Sequence, residues 1–275
     1  MSAQRENAPL VEVIAELRWE PAPEAGMQVA GGPVGPTFIA MHSSESDAFF
    51  SRFASIARSL AHAEQERVVP PGYLALPYQP VYRFKHSEEG SVRTLYQIGP
   101  GLFSANAVPP YESWEERFEQ VIRSGVEGLL QSRSKSEIAR PFTGLSLRYI
   151  DAFTAIHTEG RDIGRFMEEV FKITVNAPMA LTRHLKSDST IKSMVQLQIP
   201  MHDGFVMGVS VGEGIANFQQ AILMDTSVAS ALPVQANVSA VMERFARAHE
   251  AIGTTFRELV QPIDHLMPEK VEAKR

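Results

Sequence analysis

Between residues 10 and 19 the chain alternates: Val11, Val13, Ala15, Leu17 and Trp19 share one parity, and Glu12, Ile14, Glu16 and Arg18 share the other. Period two with β-branched residues predicts a half-buried strand. The Pro/Gly-rich run 21–36 predicts a surface loop. Ser46-Asp47 predicts the cap of a helix in which Phe49, Phe50, Phe53, Ile56, Ala57 and Leu60 recur at helical spacing. Pro70, Pro71, Gly72 and Pro77 mark a second irregular segment. Short strands are then predicted near 81–86, 92–98 and 102–108, turning at 86–90 and at Gly99-Pro100-Gly101. After Pro109-Pro110, Ser113 opens a helix with Trp114, Phe118, Val121, Ile122, Val126, Leu129 and Leu130 on one face, and Glu116 completes a capping box.

The order then repeats. A strand over 143–155 carries Leu147-Arg148-Tyr149, echoing Leu17-Arg18-Trp19. A short helix is predicted over 162–172 with Ile163, Phe166, Met167, Val170 and Phe171 on its apolar side. Strands near 191–200, 204–212 and 215–225 form a meander, turning at His202-Asp203-Gly204 and Gly212-Glu213-Gly214. A long amphipathic helix over 237–260 stops at Pro262. Ile98-Gly99-Pro100-Gly101-Leu102 echoes Val211-Gly212-Glu213-Gly214-Ile215, and Glu116-Arg117-Phe118 echoes Glu243-Arg244-Phe245. Each half reads β-α-β-β-β-α. The expectation is an α+β fold of two pseudo-repeated units, antiparallel sheets with helices on one face. The units are placed at 1–140, with a Pro/Gly-rich insertion at 20–37, and at 141–266; a charged tail, 267–275, is expected to fray. The two sheets join into one saddle or face each other around a cavity, and the pattern leaves both open.

Composition narrows the function classes. Hydrophobic residues make up 44% and charged residues 21% of 275, ordinary for a globular chain. A formal charge of −6 argues against a whole-protein field that attracts nucleic acid. The absence of Cys excludes disulfides, thiolate metal sites and Cys nucleophiles. The N-terminus has no apolar signal core and no run of about 18 apolar residues occurs, so a cytoplasmic chain without membrane attachment is expected.

Pro9-Leu10-Val11-Glu12-Val13 leading into Glu16-Leu17-Arg18-Trp19, Ser113-Trp114-Glu115, Leu147-Arg148-Tyr149-Ile150-Asp151 and a long last helix with Phe256 near its close together resemble a patchily distributed bacterial family of unknown function. The family usually has Asn where this chain has Asp151. The resemblance implies no reaction and no cofactor. Its scattered occurrence implies horizontal transfer, as for accessory genes of mobile elements or phage defence.

Candidate chemistry lies on the polar faces of the strands. Glu16 and Arg18, Arg148, and Arg83 with Lys85 alternate with apolar residues, as do Gln196 and Gln198. If these faces converge they bind a phosphate or nucleotide, since Arg presents a planar fork to such anions. If they do not, they are solvated faces with Arg–Glu pairs. Glu16-x-Arg18 also faintly echoes triphosphate-binding tunnel enzymes. Asp151 and His157 share a parity and could form an acid/base pair, but an extended strand holds them about 20 Å apart. Gly208-Val209-Ser210-Val211-Gly212 fits a hydrolase pattern, yet Ser210 falls inside a strand rather than on a strand-to-helix turn. The paired glycines join strand to strand, so they are not phosphate loops. The dispersed His residues make no zinc motif. Trp19, Tyr149, Trp114 and Phe118 read as core. No catalytic residue, metal site or cofactor is assigned. The expected function is non-enzymatic binding to a protein partner or a second copy of the chain. The alternatives are an anionic small-molecule sensor or enzyme using Arg18, Arg148, Glu16, Arg83, Lys85 and Asp151, and a nucleic-acid-binding sheet saddle.

Overall fold

The structure, a computed structural model, describes residues 5–21, 29–32, 35–38, 44–71, 73, 75–86, 93–109, 113–135, 137–187 and 189–269. The alternation at the start becomes β1, Leu10–Arg18. Val13, Ala15 and Leu17 are buried, as is Trp19 just beyond, because one parity faces core. The Pro/Gly-rich run is not all loop: β2, Val29–Gly32, pairs antiparallel with β3, Gly35–Phe38. Gly31, Gly32, Gly35 and Pro36 lie at one end of this pairing, so a composition read as loop missed the two strands; residues 22–28, 33 and 34 lie outside the described residues. The helix α1, Ser44–Ser59, begins before Ser46, which places Ser46 and Asp47 inside its first turn rather than at the cap.

Next comes β4, Glu64–Arg67, a strand that the pattern did not predict because Glu-Gln-Glu-Arg has no apolar parity. It exists by pairing with β5, Tyr82–Lys85. β6, Arg93–Gly99, and β7, Leu102–Val108, form a hairpin through Pro100-Gly101, with Gly101 at φ 71°. A Cβ there would lie 2.4 Å from the Trp19 carbonyl, so only Gly fits. Of the turn expected at 86–90, residues 87–90 lie outside the described residues. Ser113 caps as expected, its hydroxyl accepting from the Glu116 N–H at 3.0 Å. The helix opens with a π-turn over Trp114–Phe118 and continues as α2, Glu119–Ser132.

In the second half β8 runs Gly144–Phe153 and ends there. Three short helices follow: α3, Ala155–Thr158; α4, Ile163–Glu169; and α5, Met179–Thr182. Then come β9, Val195–Pro200; β10, Phe205–Ala216; β11, Gln219–Ser230; and α6, Val238–Val260, which tightens to a 3-10 turn at Pro262. The turn expected at Gly212-Glu213-Gly214 is corrected: these residues are inside β10. The hairpin turns at Asn217-Phe218, with φ 49° and 63°. Gly214 serves close approach instead, since a Cβ there would sit 2.3 Å from Leu223 Cδ1.

The nine-stranded sheet has the order β4-β5-β6-β7-β1-β8-β11-β10-β9, and the fold is α+β. The chain divides into two compact units, 14–146 with 230–245, and 1–13 with 147–229 and 246–275. Each is discontinuous in sequence, unlike the sequential halves expected.

In the first unit Phe53 of α1 meets Phe84, Tyr96 and Phe103 at 5.5, 6.0 and 5.9 Å between ring centroids. Gly125 of α2 faces the same Tyr96 and Phe103. Both helices therefore cover one face of that part of the sheet. In the second unit Phe153, Phe166 and Phe171 pack on one another within 5.5 Å. The tail is held further than expected: Met267 is buried, the Glu6 N–H donates to the Pro268 carbonyl, and Arg5 bridges to Glu269. Burial of Met267 and this backbone pairing hold residues 267–269 of the tail; residues 270–275 lie outside the described residues.

Candidate functional site

The sequence-predicted cations each have a carboxylate partner. Arg18 Nε donates to Glu16 Oε1 at 2.7 Å, two residues away on the same strand face. Arg83 donates to Glu66 Oε2 at 3.4 Å and to Gln97. Lys85 pairs with Glu64 at 3.2 Å and Glu66 at 3.1 Å. The Lys85 ammonium in turn holds the Glu66 carboxyl below its ordinary value, and hydrogen bonds to Glu66 and Glu64 raise Lys85. Arg148 clasps both carboxylate oxygens of Asp225. Leu17 and Leu147 are buried, and the arginines beside them face the other way. Arg18, Glu16, Arg83 and Lys85 belong to the first unit, and Arg148 and Asp151 to the second.

Asp151 is buried. Loss of solvation pushes its carboxyl up to about 7, and the charge of Asp225 adds to the rise. His157 is not an acid/base partner on the same strand. The strand ends at Phe153, and His157 closes a capping box in α3. Its Nδ1 accepts from the Thr154 N–H at 3.1 Å, so Nε2 carries the proton and donates to the Asn7 carbonyl at 2.7 Å. Both ring nitrogens are thus committed to backbone.

Sequence reasoning missed Arg133, a buried guanidinium 5.2 Å from the Trp19 ring and 5.1 Å from Phe142. Its Nη2 donates to the Arg140 carbonyl, while Nε and Nη1 find no hydrogen-bond partner among the described residues. Burial lowers its pKa. No alternation pattern signals a loop residue that folds inward.

A cleft of about 320 Å³ opens beside His62, His86, Thr94, Tyr96, Glu116 and Gln120. That volume is at the lower end for a small-molecule site. Its inner wall, however, directs its donors inward. His62 Nδ1–H donates to the Leu60 carbonyl, so Nε2 accepts from Thr94 Oγ1 at 2.9 Å. The Tyr96 hydroxyl donates to the Val121 carbonyl. Burial lowers His62 to about 4, helped by His86 and opposed by the Leu60 hydrogen bond, so the imidazole is neutral. Ser210 lies in mid-β10 opposite Gln196, without the strand-to-helix turn a nucleophile needs. Among the described residues no group of three or more His, Asp or Glu could hold a metal. Trp19, Trp114 and Phe118 are buried, so none of these three is a stacking platform; Tyr149, read as core, is only half-buried and hydrogen-bonds His249 Nδ1 at 2.8 Å.

The remaining candidate is β9. It ends the sheet, and every residue from Gln196 to Pro200 is exposed. Leu197 and Ile199, the apolar parity that should face core, are 40% and 44% exposed. Met194 beside them is 79% exposed, and Ile215 and Phe218 protrude near the β10–β11 turn. The pattern predicted this strand but not its uncovered face. The available signal was the 173–194 stretch, which lacks a long helical repeat.

The chain matches no protein family, no curated protein and no solved structure.

Proposed function

We propose that the protein is a non-enzymatic binding protein that engages a protein partner along the exposed edge of β9. The observation that carries this reading is an uncharged edge strand whose apolar face is bare. Unpaired backbone groups on such an edge are a template for another strand, and alternate side chains supply selectivity. Exposed apolar surface around it, Met194 included, adds to the argument. Carboxylate pairing of Arg18, Arg83, Lys85 and Arg148 weighs against an anion receptor on the sheet faces. We further read the sheet as a duplicated scaffold, since β5-β6-β7-β1 and β9-β10-β11-β8 follow one order. No helix among the described residues is long and apolar enough to cross a membrane.

The test is affinity capture of the products of neighbouring genes, co-expressed one at a time, with wild type and with Ile199→Lys. Capture of a defined product by wild type and its loss with Ile199→Lys supports the reading. Equal capture by both, or none by either, defeats it.

A further inference from the structure

We infer that β9 pairs with β9 of a second copy of this chain, antiparallel, with the two-fold axis at Leu197. The inference rests on the reading of β9 as a docking edge and names its occupant.

Backbone geometry comes first. The Met201 N–H donates to the Phe205 carbonyl at 2.8 Å, in register with the β9–β10 pairs from Val206↔Pro200 to Val211↔Val195. In an antiparallel ladder only alternate residues aim their N–H and C=O at a given neighbour. Residues 195, 197 and 199 therefore face β10, and Gln196 and Gln198 aim their backbone groups outward. A dyad through Leu197 places Gln196 opposite Gln198 of the other copy, and the reverse, each pair exchanging both N–H···O bonds. Pro200 falls opposite Met194 of the other copy; having no N–H, it ends the ladder there.

Side chains complement themselves under the same dyad. Leu197 meets its own copy in the closely spaced, non-hydrogen-bonded position. Val195 meets Ile199 on the same face, and Gln196 meets Gln198 on the other. The strand carries no formal charge, so no like charges oppose one another. The charges bracketing it along the chain are paired within the subunit, Lys192 with Glu213 at 2.8 Å and Asp203 with Arg247. A two-fold interface must be self-complementary, and this strand satisfies that in backbone, shape and charge.

The experiment is sedimentation equilibrium of wild type, Leu197→Lys, Leu197→Glu and an equimolar mixture of the two variants. Wild type is expected at twice the chain mass of 30.4 kDa. Each single variant places like charges face to face at the axis and weakens the dimer by on the order of a hundredfold or more. The mixture restores a dimer, since Lys now faces Glu. Wild-type far-UV circular dichroism and a cooperative thermal transition in each variant show that they fold, whatever midpoint the loss of association leaves. A monomeric wild type at tens of micromolar overturns the inference, as does a dimer indifferent to both variants or a mixture that stays monomeric. The outcomes separate from the docking reading. A monomeric wild type that still captures a neighbouring gene product through Ile199 keeps that reading and loses this one. A dimer that captures none does the reverse.

Discussion

The sheet has two ends, β4 and β9, and they are built differently. β4 reads Glu-Gln-Glu-Arg, fully exposed, with Glu64 and Glu66 registered against Lys85 and Arg83 of β5. β9 reads Val-Gln-Leu-Gln-Ile-Pro, with no charge and an apolar row. The strand next to β4 lies under a helix of 16 residues, α1, whose Phe53 covers Phe84. The segment leading into β9 contains only short helices, and none buries Leu197 or Ile199. A sheet edge that stays alone is blunted by charge, and one that is left neutral and apolar is available for pairing. The difference teaches that β4 is closed by charge and that β9 is left open, as the proposed docking requires.

The largest expected effect tests the covered side against the bare one. Phe53→Ala removes a fully buried ring and is expected to cost about 3–5 kcal/mol in denaturant unfolding. Ile199→Ala, measured at a dilution where the chain is monomeric, is expected to stay within about 0.5 kcal/mol. Comparable losses from both would mean that β9 is covered within the monomer and that the contrast is false.

A second contrast lies between two buried titratable groups, Asp151 of the second unit and His62 of the first. Asp151, with a folded value near 7 against 3.8 in the open chain, binds its proton more tightly when folded. The stability linked to that proton is complete below pH 3.8 and is lost as pH rises through 7. Asp151→Asn is therefore expected to stabilise the protein at pH 8 by on the order of a few kcal/mol, with the gain shrinking towards pH 4. His62, near 4 folded against 6.5 unfolded, runs the other way: its contribution is present above 6.5 and lost as pH falls towards 4. His62→Gln should flatten that acid limb, by on the order of 2 kcal/mol. Urea midpoints from pH 4 to 8 check both; parallel curves for wild type and Asp151→Asn would show that the carboxyl is not buried in solution.

The sequence made legible what depends on neighbours along the chain. Alternation located β1, β5, β6 and β7, and Ser113 announced its cap three residues ahead. Glu16 as partner of Arg18 was readable from their shared parity. Asp225 as partner of Arg148 was not, because that pair spans 77 positions and needs strand register. β4 was invisible since it has no apolar residue and is a strand only through β5. Gly212 and Gly214 misled because a strand glycine that admits a neighbour and a turn glycine are the same letter. The turn itself uses Asn217 and Phe218 in left-handed geometry, which Phe rarely adopts. Whether Leu197 is covered is a question about helices from elsewhere, and no local period answers it.

The smallest structural change has the most direct bearing on the two edges. Glu64→Val with Glu66→Val, made in the Leu197→Lys background to silence β9, gives β4 a neutral apolar parity. The ion pairs it removes are exposed and contribute little to stability, so the thermal midpoint should scarcely move. Concentration-dependent association is nonetheless expected in sedimentation velocity, weaker than wild-type pairing because β4 is 4 residues long against 6 for β9. Should this variant remain monomeric at every concentration, the two glutamates are not what closes β4. Length would then be the distinguishing property, and shortening β9 rather than charging it would be the way to make its edge inert.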